Sequence, residues 1–344
     1  MTRVPASSYL CPACRGPCRQ GPQSWECSTC ARTYPILFGI PDFRLNPDRY
    51  LSLQQERDKA ARLHAFGQTH TFPELVAYYY EITDDVPPAI APRYADYVLS
   101  GVARGQDVLH KLPAASGRLL DIGCGAGGLV AAACQTGRNV VGMDIALRWL
   151  VIAQKRLQEA GLEAELVCAD ITASPFAPAS FEAATALDLF EHTGPCRPAI
   201  LAVHDGLAPG GMLFATAANR FTLTSYPPAG LVGVGFLPGG LRKRYVQARR
   251  GLDTLRHLSL LSPRQMRKAL GAAGFRSIRL APLEIGRARG LGGLLGYVRP
   301  IYNVMRKIPG VAAAMVATGP AFEILARKPL APASAPTRAR ARGR

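Results

Sequence analysis

Gly123, Gly125 and Gly127 stand at alternate positions directly after the apolar run Leu119, Leu120, Asp121 and Ile122. A strand opening into Gly-x-Gly-x-Gly makes a turn that a ligand can approach without meeting side chains, which is the chemistry of a nucleotide-type cofactor cradle. Acidic residues follow at the distances such a ligand requires. Asp144 closes Val140–Asp144, where a carboxylate can accept both hydroxyls of a ribose, and Asp170 closes a third apolar run, 164–169, in reach of an adenine amino group. Cys11, Cys14, Cys27 and Cys30 form two Cys-x-x-Cys pairs, each able to place two thiolates on a tight knuckle, and two knuckles close a tetrahedral metal site. His192, beside Glu191, can titrate near neutral pH.

The elements that must position these groups are parallel strands. A fourth strand, 182–187, runs into Asp188, Leu189, Phe190, Glu191 and His192, and a fifth, 212–216, follows the turn Leu207, Ala208, Pro209, Gly210 and Gly211. Residues 275–281 and Ala321–Arg327 read as strands six and seven. This ordered series resembles the class I S-adenosylmethionine (SAM)-dependent methyltransferases. The resemblance covers roughly 115–330 and implies an α/β fold, a Rossmann-like seven-stranded sheet with helices on both faces. It implies that Asp121, Gly123, Gly125 and Gly127 carry the methionine part of SAM, that Asp144 holds the ribose, and that Asp170 with the backbone of Ile171 holds the adenine. Asp188 is expected to line the cofactor pocket. An NAD-type dehydrogenase also explains Asp144, but it has no comparable Leu-x-Pro-Gly-Gly turn.

The nine cysteines, four in paired spacing, point to a metal rather than to disulfides. The segment 1–45 reads as a small zinc ribbon, with Cys18 spare. Some 45 residues cannot bury enough apolar surface to fold alone, so structural Zn2+ supplies the missing stability. Tyr34, Pro35, Ile36, Leu37, Phe38, Gly39, Ile40 and Pro41 resemble the short ribbon of tRNA-methyltransferase activator proteins. In that family the ribbon covers apolar surface on a methyltransferase, which implies a built-in version here. The segment 46–114 reads as a helical cap or linker, its helices separated by Pro73, Pro87, Pro88 and Pro92. One of Tyr78, Tyr79, Tyr80, Tyr94 and Tyr97 can shield a sulfonium by cation-π attraction, although ordinary packing explains any one of them.

The net charge of +17 is segregated. Residues 115–218 carry 6 Lys/Arg against 10 Asp/Glu, whereas 219–310 carry 17 against 2. Positive potential therefore lies beside the active-site face, and the partner is expected to be anionic. An insert at 219–258 combines Phe221, Tyr226, Leu231, Phe236 and Leu237 with Arg242, Lys243, Arg244, Arg249 and Arg250, which suits a lid or a contact with anionic lipid. The stretch Ala218, Asn219 and Arg220, with Leu261, Ser262, Pro263 and Arg264 beyond the insert, is similar to ubiquinone-pathway O-methyltransferases, which carry a lid and membrane-contact segment there. Those enzymes lack the ribbon. A second insert, 286–319, holds Gly292, Gly293, Tyr297, Arg299, Tyr302, Arg306 and Lys307, and 331–344 reads as a disordered basic tail. No run approaches 20 uninterrupted apolar residues and no hydrophobic leader is seen, so the expected location is cytoplasmic, with peripheral contact at the inner membrane face.

Methyl transfer from a sulfonium needs a general base only when the acceptor is a phenol, a hydroxyl or an acidic carbon. His192 is the first candidate and His257 the second; Cys196 as a nucleophile is a remote one. The Asn-Pro-Pro-Tyr type motif of amino-methylating enzymes is absent after strand four. The leading expectation is a methyltransferase acting on a small, hydrophobic or lipid-linked acceptor. The alternative is an rRNA or tRNA base methyltransferase, which the basic charge supports, and a non-catalytic SAM-binding ribbon adaptor is the least favoured.

Overall fold

The N-terminal ribbon is an antiparallel four-stranded sheet in the order β1 (Cys18–Gln20), β2 (Ser24–Cys27), β3 (Thr33–Leu37) and β4 (Ile40–Pro41). The computed structural model describes residues 9–84, 86, 88, 90–113, 117–251, 254–284 and 294–330, the side chains of 294–299 excepted. The basic tail at 331–344, residues 286–293 of the second insert with Gly292 and Gly293, Pro87, and the side chains of Tyr297 and Arg299 thus lie outside the described residues. Four helices follow the ribbon: α1 (Leu53–Gly67), α2 (Phe72–Glu81), α3 (Ala91–Leu99) and α4 (Gly101–Leu109). Ser52 and Thr71 start α1 and α2 through capping boxes with Gln55 and Glu74. Pro73 and Pro92 stand at helix boundaries, as expected. Both occupy the first turn of a helix, where a missing N–H costs nothing.

A seven-stranded sheet then forms from β5 (Leu119–Ile122), β6 (Val140–Asp144), β7 (Glu165–Cys168), β8 (Phe181–Leu187), β9 (Leu207–Ala218), β12 (Arg276–Pro282) and β13 (Ala321–Arg327). Between them run α5 (Gly128–Gln135), α6 (Leu147–Glu159), α7 (Cys196–Gly206), the hairpin β10 (Ser225–Tyr226) and β11 (Leu231–Val232), α8 (Gly239–Arg250), α9 (Pro263–Ala272), α10 (Leu294–Met305) and α11 (Pro309–Thr318). The spatial order is β12-β13-β9-β8-β5-β6-β7. The five strands β9, β8, β5, β6 and β7 are parallel, and β13 runs antiparallel between β9 and β12. Side chains alternate across the sheet as strand geometry requires. Leu119, Val140 and Phe214 face the layer holding α1, α2, α5 and α6, while Leu120, Val141 and Leu213 face the layer holding α7 and α9.

The second layer is completed in an unusual way. Between β7 and β8 the chain makes only a short 3-10 turn at Ile171–Ala173, where a parallel crossover normally brings a helix. The ribbon fills that space. Tyr9, Trp25, Tyr34 and Phe43 are buried in one core with Val167, Phe176 and Phe181, and the Tyr9 ring lies 4.7 Å from both Trp25 and Phe43. Such pairs add about 0.5–1.5 kcal/mol each beyond area burial. Arg15 Nη2 donates to the Phe176 carbonyl at 2.7 Å, and Tyr9 donates its hydroxyl to Glu165 at 2.6 Å. Beyond β4, Asp42 bridges to Cys168 in parallel, and Phe43 N–H donates to the Cys168 carbonyl at 2.8 Å. The ribbon thereby covers the outer edge of β7, an edge that would otherwise invite pairing with another chain.

The insert after β9 is a folded unit rather than an open loop. Tyr226, Val234, Val246 and Leu255 form a small core of their own. Fully buried Asn219 pins it: Nδ2 donates to the carbonyls of Val316, Ala317 and Gly319 at the end of α11, while Oδ1 accepts from Phe221 N–H at 3.0 Å. Helix ends leave carbonyls without intrahelical partners, and one amide here serves three. Asn219→Leu is therefore expected to lower unfolding free energy by about 2–3 kcal/mol, read as a shifted urea midpoint with unchanged slope.

Candidate cofactor and metal sites

The cradle owes its shape to three residues in left-handed conformations: Gly123 (φ 69°), Gly125 (φ 50°) and Gly127 (φ 68°). A side chain at Gly127 would meet Ala153 Cβ at 2.9 Å, and one at Gly123 would meet Leu189 Cδ1 at 2.8 Å. A Cβ at Gly125 would meet no protein atom within 4 Å. The protein thus leaves open space at the middle of the turn.

Around this turn the structure brings together Asp121, Asp144 and Asp170, from the ends of the adjacent strands β5, β6 and β7. Asp121 is buried and accepts from Thr185 Oγ1 at 2.7 Å, and burial pushes its pKa up to about 7. Asp144 Oδ2 accepts from Gly125 N–H at 2.9 Å and Oδ1 from Ala146 N–H at 2.8 Å. Burial raises its pKa, and these amides oppose the rise. Asp144 therefore shapes the cradle from the end of β6. Asp170 caps the 3-10 turn, accepting from Thr172 N–H at 2.8 Å, with Ile171 buried behind it.

The ribbon reaches this site. Buried Arg44 is paired with Asp42 at 2.8 Å and donates Nη1 to the carbonyl of Ile145, the residue after Asp144, at 3.2 Å. Nothing in the spacing of Asp42 and Arg44 marks this strap.

Beyond β8, Asp188 adopts φ 52° and accepts from Thr216 Oγ1 at 2.8 Å. It lines a cleft with Tyr97, Leu187, Phe214, Thr216 and Leu283, and Tyr97 hydroxyl stands 3.4 Å from its Oδ2. Of the five tyrosines singled out by composition, only Tyr97 lines this cleft; Tyr79 packs on Trp149 at 4.3 Å. His192 Nδ1 lies 2.9 Å from the Tyr50 hydroxyl, and the Tyr50 ring also lies 5.0 Å from His257. Tyr50 was invisible to sequence reasoning because it lies in an irregular stretch with no periodic signal. The protein mass around the His192 ring pushes its pKa down, with Asp188 pulling the other way. Cys196 begins α7, where partial burial raises its thiol pKa, the opposite of an activated nucleophile.

Glu191 is fully buried, and burial followed by the Asp188 charge pushes its pKa up to about 8. Oε1 accepts from Ala218 N–H at 3.3 Å, while Oε2 has no hydrogen-bond partner among the described residues. The folded state thus holds a proton that the unfolded chain, with an ordinary pKa of 4.5, releases. This contribution to stability is fully present below pH 4.5 and is lost as pH rises toward 8. Urea unfolding between those limits should show a smaller loss of stability in Glu191→Gln than in the unaltered protein.

The metal site is built on the two knuckles. The four thiol sulfurs lie within 4.8 Å of one another, Cys11 to Cys30 at 3.7 Å and Cys14 to Cys27 at 3.4 Å. A tetrahedron with Zn–S bonds of about 2.3 Å has S···S edges of about 3.8 Å, so the donor set fits Zn2+. The amides of Cys30 and Thr29 point at Cys27 sulfur and pull its pKa down to about 6. Cys18 stays outside the cluster, as its spare position in the sequence implied.

The family model described as "Methyltransferase domain" matches residues 119–211. A ubiquinone biosynthesis O-methyltransferase of Idiomarina loihiensis is 35% identical over 104 residues, 30% of this chain and 43% of that protein. One of Azorhizobium caulinodans is 29% identical over 206 residues, 59% of this chain and 76% of that protein. The chain spans about half the length of the curated relatives it matches. A solved phosphoethanolamine N-methyltransferase 2 of Haemonchus contortus, in complex with S-adenosyl-L-methionine, aligns at 20% identity and TM-score 0.45 over 66% of this chain and 52% of that one. Residues 119–211 thus match a methyltransferase domain, and they span the parallel strands whose ends carry the glycine turn and the three carboxylates.

Proposed function

We propose that this chain transfers a methyl group from SAM to a small, hydrophobic or lipid-linked acceptor. The observation that carries the reading is the glycine cradle faced by Asp121, Asp144 and Asp170 on three adjacent strand ends. The names of the O-methyltransferase relatives support a hydroxyl acceptor. SAM, when bound, supplies an activated methyl carbon, so the chain's own work is positioning and proton removal. In this reading the Asp144 carboxylate takes the ribose hydroxyls, Asp170 and the Ile171 amide take the adenine, and Asp121 with the cradle amides takes the amino acid end. Structural Zn2+ sits on Cys11, Cys14, Cys27 and Cys30.

The acceptor enters the cleft beside Asp188, where Leu187, Phe214 and Leu283 meet a ring and the charged groups of Lys111, Glu284 and Glu323 line the rest. His192 takes its proton. With Nδ1–H donating to the Tyr50 oxygen, Nε2 of this solvent-exposed ring presents its lone pair, and the downward direction of its pKa shift favours the neutral form. His192→Gln should lower kcat by about 100-fold or more with SAM affinity unchanged. In the unaltered enzyme kcat/KM should rise with pH through a value below 6.5 and then level off. A single methylation assay with SAM and a catechol-type quinone precursor tests both. Equal turnover by the variant would remove His192 from the chemistry.

The basic, apolar insert at 219–258 is read as a lid contacting an anionic membrane at its inner face, with Phe221 and Phe236 in ring contact at 5.5 Å and Lys243 and Arg244 exposed nearby in the chain. Strong salt-sensitive RNA binding without vesicle binding would favour a nucleic-acid acceptor instead.

A further inference from the structure

Helix α11 is apolar on every side, yet none of its residues is buried. Its Val311, Ala312, Ala313, Ala314, Met315 and Val316 offer no polar face to water, and a helix of that composition normally lies inside a core or in lipid. Helix α10 and the link beyond it add Ile301, Val304, Met305 and Ile308, exposed by 43% at Met305 to 63% at Val304. This apolar surface has a fixed base. Arg306 donates to the Pro282 carbonyl at 2.8 Å and pairs with Glu323 at 3.1 Å, Tyr302 donates to the Leu283 carbonyl at 2.9 Å, and Asn219 holds the far end of α11. One face of α11 is half-buried at Val311, Ala312, Met315 and Val316, with Val316 packed against the main core, while Ala313, Ala314, Ala317, Ile301, Val304, Met305 and Ile308 are exposed.

The hairpin also stands at a particular edge. β12 runs parallel to β9, because each is antiparallel to β13, so the chain leaves β12 for α10 on the edge that carries the ends of β5 to β8. The insert after β9 leaves from the same edge, and Leu223 N–H donates to the Thr318 carbonyl of α11 at 2.9 Å. Exposed Leu223 and Phe221 therefore continue the surface of α11. Residues 219–251 and 294–322 together contain nine Lys and Arg and no Asp or Glu, and of the nine Arg306 is paired with Glu284 and Glu323. Two copies of such a face would bring like charges together, whereas anionic headgroups would neutralise them.

We propose that the α10–α11 hairpin is a membrane-docking element that seats its apolar faces in an anionic phospholipid surface and sets the acceptor edge of the sheet against the bilayer. The inference rests on the lipid-linked acceptor reading and names the surface from which such an acceptor would be drawn. It differs from the lid contact in its residues. Sedimentation with mixed phosphatidylcholine and phosphatidylglycerol vesicles separates the two. The combined change Ile301→Ser, Val304→Ser, Met305→Ser and Ile308→Ser should weaken partitioning at high salt by about tenfold or more, because the lost contribution is apolar burial. These side chains are exposed, so circular dichroism and SAM affinity should not change. In the otherwise unaltered chain, Val304→Trp should be quenched by brominated phospholipid.

Vesicle binding that survives the fourfold change, or an unquenched Val304→Trp, would overturn the hairpin proposal. If Phe236→Ser alone abolished binding in that case, the lid reading would stand by itself. Self-association lost in the fourfold variant, with no vesicle binding, would assign the face to a second copy and overturn the proposal. SAM binding in the same samples tests the proposed activity separately.

Discussion

Asp144→Ala is expected to weaken SAM binding by about 100-fold or more, equivalent to about 3 kcal/mol. Two losses combine. The carboxylate that would accept the ribose hydroxyls disappears, and with it the bonds from Gly125 and Ala146 that hold the cradle in shape. Asp144→Asn separates them, because an amide oxygen can still accept one backbone N–H while accepting less strongly from ribose. Its affinity should fall between the other two. Calorimetric titration of the three proteins checks this order, and an unchanged affinity in Asp144→Ala would mean that the cofactor does not lie across β5 and β6.

Removing the metal should have the second largest effect. Structural Zn2+ contributes on the order of 10 kcal/mol to a ribbon of this kind, as much as the whole stability of an ordinary domain. Here the consequences extend beyond the ribbon, since Tyr9, Trp25, Tyr34 and Phe43 form the layer over β7 and β8 that no helix supplies. Cys27→Ser, or chelation, should release about one zinc per chain, lower the melting temperature of the entire protein and weaken SAM binding as Arg44 lets go of Ile145. Metal analysis with a thermal melt of the same sample reads both changes. Cys134→Ser should alter neither, because Cys134 sits on the opposite layer. If Cys27→Ser lost zinc without a change in melting, the ribbon would be an appendage rather than a layer of the core.

Much of this architecture was legible in the sequence. The strands showed because parallel strands buried on both faces read as short apolar runs, and the glycine and aspartate residues at their ends are punctuation that few other structures require. The four clustered cysteines showed because metal geometry dictates the spacing of candidate ligands. What stayed hidden depends on contacts between distant segments. Tyr50 reaches His192 across 142 positions, and Arg44 reaches Ile145 across 101. The replacement of a crossover helix by the ribbon also left no local trace, since the sequence at 171–180 marks only the absence of a helix. The insert after β9 reads as Gly- and Pro-rich loop, yet Tyr226 and Val246 give it a core that only the fold brings together.

The central claim is that the cradle and its carboxylates hold SAM. Calorimetric titration of the zinc-loaded, unaltered protein with SAM, and separately with NAD, tests it most directly. The account predicts saturable one-to-one binding of SAM in the micromolar range and no heat with NAD. Binding of NAD, or no binding of SAM by folded, zinc-loaded protein, would contradict it.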